Sequence, residues 1–264
     1  MNMKTNYHAH TYRCGHAEPD ERAYVESAIR EGFRIFGFAD HVPQPYPNGF
    51  RSGMRIQPED THDYVSTVAA LKREYSGRID IHIGFEAEYF PSLFEDMLRL
   101  LEPYPYEYLI LGQHSLDRED LPGGCHWTSW RTSDKGILTQ YVDRCAEALN
   151  TGAFSCFVHP DVLHYEGDDA VYRAEARRLC REAKGCGVPI EFNLLGYGTH
   201  RHYPTRAFWE EAAVVGNEVI LGWDAHAASW LEQPQMERDA DAYLRELGIT
   251  RIDTLTLVRP HAKR

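Results

Sequence analysis

Tyr108-Leu109-Ile110-Leu111-Gly112-Gln113-His114 is the stretch on which the fold turns. Its first four residues are apolar without alternation, as in a strand covered on both faces within a parallel sheet flanked by helices. The run then stops at a glycine and delivers an imidazole. Apolar runs normally end in loop formers, so metal- or phosphate-binding groups at such ends are informative. Six further strand-like runs end in the same way: Tyr7-His8-Ala9-His10, Gly37-Phe38-Ala39-Asp40-His41, Gly84-Phe85-Glu86, Phe157-Val158-His159-Pro160, Glu191-Phe192-Asn193 and Gly222-Trp223-Asp224-Ala225-His226. Seven such ends point to side chains gathered at one place, most simply a hydrolytic site with several metal ions.

Working outward, strands are expected near 5–8, 34–39, 79–85, 107–112, 154–158, 188–193 and 218–223. Amphipathic helices fall between them near 20–31, 58–75, 92–102, 136–150, 169–185, 205–215 and 234–247. Pro58-Glu59-Asp60 is a favourable helix start, and Gly77, Gly152 and Gly187 stand where helices should stop. Seven βα units predict an α/β fold, a seven-stranded barrel whose loops at the carboxyl ends of the strands open onto one face. All seven polar groups belong to that face. The irregular stretches 42–57 and 115–135 read either as lids or as surface loops without function. The tail from about 253 forms a last short strand or packs across a barrel end.

The chain has 264 residues, which fits one barrel domain over 1–264, and a formal charge of −12. That charge argues against broad nucleic-acid or anionic-membrane binding but not against a small phosphorylated substrate, since bound cations would reverse the field inside a pocket. Cysteines 14, 125, 145, 156, 180 and 186 form no CxxC pair and read as reduced thiols, mostly core fillers. Without an apolar leader or a run of about 20 apolar residues, the expectation is a cytoplasmic protein with no membrane segment. Oligomeric state is not legible.

His8 and His10 are two apart, so on a strand both imidazoles face one side and can grip one ion. Asp224 and His226 repeat that spacing on the last strand, which neighbours the first in a closed barrel. Glu86 is preferred over Glu88 as a carboxylate bridging two ions. Glu88 then either orients a ligand or is solvated. His114 and His159 follow apolar strands, where histidines bonded to backbone are the bland reading, but their company favours ligands. His62, His82, His126, His164, His200, His202 and His261 are expected at surfaces or on helices.

The ordered set His8-Ala9-His10, Gly15-His16, Asp40-His41, Gly84-Phe85-Glu86, Gln113-His114-Ser115, Val158-His159-Pro160 and Asp224-Ala225-His226 resembles that of the PHP (polymerase and histidinol phosphatase) phosphoesterases. Within that family, Glu191-Phe192-Asn193-Leu194-Leu195-Gly196 and the chain length are most similar to the stand-alone histidinol-phosphatases. The resemblance implies a distorted seven-stranded TIM-like barrel holding two or three divalent ions (zinc, manganese or iron) at the carboxyl ends of its strands. The first ion would take His8, His10, Glu86 and Asp224. The second would share Glu86 and add His114 and His159, and the third would take His16, His41 and His226. Asp40 is expected to orient an imidazole. After His114 the chain continues Ser115-Leu116-Asp117-Arg118, where the family pattern is aromatic-rich, and substrate identity is correspondingly open.

The implied activity is metal-dependent hydrolysis of L-histidinol phosphate to L-histidinol and phosphate, a step of histidine biosynthesis, with another small phosphoester or a nucleotide as the alternative substrate. Two cations sharing Glu86 would supply a bridging hydroxide as nucleophile. Glu86, Asp224 and His226 are the expected catalytic residues, with Asp224 or a metal-bound water protonating the departing oxygen. Arg201, Ser115 and Arg131 are candidates for the substrate phosphate.

Overall fold

The computed structural model describes residues 3–262; residues 1, 2, 263 and 264, the outermost of the expected domain and of its tail, lie outside the described residues. Seven parallel strands form one sheet in chain order: β1 (Thr5–Asn6), β2 (Ile35–His41), β3 (Asp80–Ala87), β4 (Tyr108–Leu111), β5 (Cys156–Phe157), β6 (Ile190–Asn193) and β7 (Val219–Gly222). The first and last strands meet just past their ends, where Ala9 and Ala225 form a parallel bridge and the His10 N–H donates to the Ala225 carbonyl at 2.9 Å. The result is the distorted, nearly closed α/β barrel that the sequence implied. Distortion concentrates at β1 and β5, each only two residues long.

Helices α1 (Glu21–Arg30), α2 (Thr61–Glu74), α3 (Phe94–Leu101), α4 (Lys135–Leu149), α5 (Asp169–Gly185), α7 (Arg206–Val215) and α8 (Pro234–Glu246) fall where the sequence placed them. A five-residue α6 (Leu194–Gly198) is added directly after β6. In α3 the buried residues Phe94, Met97, Leu98 and Leu101 recur at helical spacing, and each contributes about 1.5–3 kcal/mol by burial. Side chains cap several starts: Asp168 accepts from the Val171 N–H at 2.9 Å and Asp134 from the Gly136 N–H at 2.7 Å. The helix expected from Pro58 begins instead as a 3₁₀ turn over Pro58–Asp60, and α-geometry starts at Thr61.

The large apolar layer lies between sheet and helices. A smaller cluster, comprising Tyr7, Ala39, Tyr108, Ile110, Cys156, Val158, Ile220 and Leu255, joins the barrel strands to the tail. Tyr108 rests against Gly37 and Gly84 and donates its hydroxyl to the Tyr7 carbonyl at 2.7 Å. Of the two readings of the tail, packing across the barrel is the observed one. Leu255 joins this cluster, the Val258 N–H donates to Ser155 Oγ at 2.8 Å, and Tyr106 donates to the Pro260 carbonyl at 2.7 Å. Ser155 and Tyr106 precede strands β5 and β4, so the tail covers the amino ends and leaves the carboxyl ends for the site. All six cysteines are free, and among the described residues no helix is long and apolar enough to cross a membrane.

Candidate metal centre

Pairing of β2 with β3 sets His41 directly beside Glu86, and closure of the barrel brings the first and last strands' polar pairs together. His10 Nε2 lies 3.1 Å from Asp224 Oδ1, and His8 Nε2 lies 3.1 Å from His10 Nε2. Glu86 sits at the hub, with its two oxygens serving different neighbours. Its Oε1 is 2.7 Å from His159 Nε2 and 3.4 Å from His114 Nε2. Its Oε2 is 3.0 Å from His41 Nδ1, 3.5 Å from His8 Nε2 and 3.6 Å from His10 Nε2. The rings of His16 and His226 stack at 4.9 Å, and His16 and His41 lie 5.3 Å apart.

The outward nitrogens of five of these imidazoles are occupied, which leaves the inward ones free as lone-pair donors. His8 Nδ1 donates to Glu191 at 2.8 Å, His10 Nδ1 to Asp40 at 3.3 Å and His114 Nδ1 to Glu88 at 2.9 Å. His16 Nδ1 and His226 Nδ1 donate to the backbone carbonyls of Cys14 and Asp224, at 3.0 and 2.9 Å. Asp40 is itself fixed by the Thr11 N–H at 3.0 Å.

The donor set fits divalent cations. Ligands about 2.1 Å from a tetrahedral ion are about 3.4 Å from each other, close to most of the separations above. Glu86 Oε2 and His41 Nδ1 are buried without a hydrogen-bond partner, a costly state unless an ion completes them. Donor atoms of His16, His41 and His226, of His8, Glu86 and His159, and of His8, His10 and Asp224 each lie within 4.8 Å of one another. Two glycines make room. A Cβ at Gly112 would overlap the Glu86 carboxylate, and one at Gly222 would overlap that of Glu191. His159 and Asp224 take left-handed backbone angles, φ 31° and 47°, costing of order 1–3 kcal/mol each, to turn their side chains inward.

Electrostatics follow from this crowding. Burial opposes a proton on His8, but Glu191, Asp224 and Glu86 outweigh it and raise its pKa to about 10. Burial and the nearby imidazoles lower His41 to about 4 and His226 to about 3, so both are neutral donors at pH 7. Glu86 and Asp224 lie well below the carboxylate range: burial works against ionisation and the surrounding histidines overcome it. The cluster therefore attracts positive charge, and without an ion a proton on His8 supplies part of it.

The sequence pattern of the PHP domain family matches residues 6–194. The chain belongs to the PHP domain family. A Deinococcus radiodurans protein named probable histidinol-phosphatase is 27% identical over 225 residues, 83% of this PHP chain and 85% of its own length. The histidinol-phosphatase of Bacillus subtilis is 31% identical over 121 residues, 43% of this chain and 45% of its own. The crystal structure of histidinol phosphate phosphatase from Lactococcus lactis, complexed with zinc, L-histidinol and phosphate, superposes with a TM-score of 0.71 at 20% identity. It covers 96% of this chain and 97% of its own, a likeness of fold.

A cavity of about 670 Å³ opens beside the PHP centre, lined by His16, His41, Glu86, His114, Asp224 and His226 and by Met54, Trp127, Thr128, Arg201, Tyr203 and Trp230 among others. Of the three phosphate candidates, Arg201 lines it, with Nη1 donating to Tyr203 Oη at 3.1 Å. Ser115 does not: it is buried, and its hydroxyl donates to the Asp117 carbonyl at 2.9 Å. Arg131 points to solvent near Glu166, 3.5 Å away, because the chain between Ser129 and Thr132 runs outside the cavity wall. Asp224 also lines the cavity, its Oδ1 3.1 Å from His10 Nε2. Glu88 is not solvated but buried against Arg55 and His114, and Arg55 and His114 hold its carboxyl below the ordinary range against the effect of burial.

Sequence reasoning missed the role of Glu191, although Ile190-Glu191-Phe192-Asn193 carried the signal: two polar side chains on one face of a buried strand. It also read Cys14 as filler. The thiol lies within 4.8 Å of donor atoms of His10 and His226. Of the aromatic wall, Trp127 lies in the stretch 115–135 that read either as a lid or as a surface loop, whereas Trp230 had no sequence signal.

Proposed function

We propose that this chain is a metal-dependent phosphomonoesterase acting on L-histidinol phosphate, releasing L-histidinol and phosphate in histidine biosynthesis. The observation that carries the reading is the divided Glu86 carboxylate, one oxygen toward His114 and His159 and the other toward His8, His10 and His41. The relatives' names and the ligands in the Lactococcus lactis structure support the choice of substrate.

In this reading His8, His10, Glu86 and Asp224 hold one ion, Glu86, His114 and His159 a second, and His16, His41 and His226 a third. Zinc, manganese and iron all suit mixed imidazole and carboxylate donors. Such ions, when bound, neutralise phosphate oxygens and make a coordinated water acidic enough to attack. The chain's residues do the rest. Glu191, Asp40 and Glu88 lock the tautomers of His8, His10 and His114, while Arg201 at the cavity wall provides donors for the non-bridging oxygens. The departing alkoxide would take its proton from Asp224 or from a metal-bound water, and Tyr203, whose hydroxyl burial keeps protonated, stands in the same wall.

The chain acts as a single barrel domain in the cytoplasm, where six unpaired thiols stay reduced. The test is turnover of a phosphoester panel, with L-histidinol phosphate, nucleotides and small diesters, after loading with zinc, manganese or iron. Preference for L-histidinol phosphate is expected. No turnover of any phosphomonoester by fully loaded protein removes the proposal.

A further inference from the structure

Loops 42–57 and 115–135 both border the cavity, the first through Met54 and the second through Trp127, Thr128 and Ser129. A buried guanidinium joins them. Arg55 donates from Nη1 to Glu88 Oε2 at 2.5 Å and from Nη2 to Glu88 Oε1 at 3.2 Å. Its Nε donates to Glu119 Oε1 of the second loop at 2.8 Å, and its Nη2 reaches the same oxygen. Glu119 also accepts from Tyr46 at 3.0 Å and from Ser52 at 2.7 Å, both in the first loop. Glu88 in turn accepts from His114 Nδ1 at 2.9 Å, and the opposite nitrogen of that ring faces Glu86. An unbroken chain, Glu119–Arg55–Glu88–His114, therefore runs from the loops to the centre.

This arrangement does more than fill space. A buried ion pair is weak evidence of stability, since apolar residues of equal volume serve as well. What a forked guanidinium adds is geometry, because it fixes two carboxylates in one plane at set distances. One of those carboxylates determines which nitrogen of His114 is free and where it points. The other anchors the loop whose backbone continues to the cavity wall, where the Thr128 N–H is held by the His114 carbonyl at 2.8 Å.

We propose that Arg55 is a positioning residue of this enzyme: through Glu88 it holds His114 in place beside Glu86, and through Glu119 it holds the loop wall that receives the leaving group. The inference rests on the metal-phosphatase reading. It predicts that the two arms separate. Glu119→Gln leaves the Arg55–Glu88 clasp intact, so metal retention and kcat stay near wild type while KM for L-histidinol phosphate rises about tenfold. Glu88→Gln releases zinc to a competing chelator about 10–100 times more readily. Arg55→Lys keeps the charge without the fork and shows both effects, zinc released more readily and KM raised.

Unchanged KM in both Glu119→Gln and Arg55→Lys overturns the assignment, as does equal loss of zinc from Glu119→Gln and Glu88→Gln. If wild-type protein binds no zinc or hydrolyses no phosphoester, the underlying reading fails instead. The loop link is then read by limited proteolysis at the exposed Gly123-Gly124. Faster cleavage in Glu119→Gln than in wild type supports the link, and equal cleavage overturns it.

Discussion

Replacing Gly112 by alanine tests the proposed centre without touching a ligand. A Cβ at this position would lie 2.6 Å from Glu86 Cδ and 2.7 Å from its Cγ. Glu86 Oε1 is closer still, and carbon atoms pack comfortably at about 3.5 Å, so the carboxylate must retreat by at least about 0.9 Å. The methyl group meets only that side chain among its nearest neighbours, and Gly112 is not in the left-handed region that disfavours alanine, so the fold should survive. A displacement near 1 Å at a reacting centre costs about 10²-fold in rate, and here it also moves the shared ligand. The expected variant has a wild-type circular dichroism spectrum, turns L-histidinol phosphate over about 10²-fold more slowly and holds fewer ions per chain by elemental analysis. Gly185→Ala is the control, since a Cβ at this helix end meets nothing within 4 Å. Full metal content together with unchanged kcat in Gly112→Ala would refute the hub role of Glu86.

Chelation should abolish activity reversibly and lower Tm. Metal at about 100 times its Kd stabilises the fold by about 2.7 kcal/mol, and activity persisting in demonstrably metal-free protein would remove the mechanism. Metal affinity should rise with pH. With its pKa near 10 in the ion-free cluster, His8 must shed a proton to bind, which gives about tenfold per pH unit for each proton displaced, followed by zinc titration in a pH series. The same shift contributes stability to the ion-free fold that is complete below the unfolded pKa of about 6.5 and is lost as pH rises through about 10. The Tm increment from zinc should therefore be larger at about pH 9 than at about pH 6. Burial raises Asp161 to about 7, only partly offset by the Thr205 N–H, so its stabilising contribution is full below about 3.8 and lost as pH rises through 7. Asp161→Asn should accordingly flatten the dependence of urea midpoints on pH between about 4 and 7. Arg55→Met should destabilise the fold by about 3–5 kcal/mol in urea, because it strands Glu88 and Glu119 in a buried site.

The order of strands, the placement of helices and the convergence of imidazoles were legible in the sequence because each depends on local signals. Apolar runs such as Tyr108-Leu109-Ile110-Leu111 fix strands, helical spacing fixes faces, and parallel βα order leaves the carboxyl ends as the common face. Asp224 and His226 could be placed opposite His8 and His10 by closure alone. Relations between loops could not be read in this way. That Ser115 turns inward, that Arg131 faces solvent and that Arg55 bridges Glu88 and Glu119 depend on where two irregular segments settle, and irregular backbone has no periodicity to reveal its facing side. The charge states were equally out of reach. Burial and the exact neighbours decide that Asp224 is ionised and His226 neutral, and those are properties of distance in three dimensions that residue spacing along the chain does not encode.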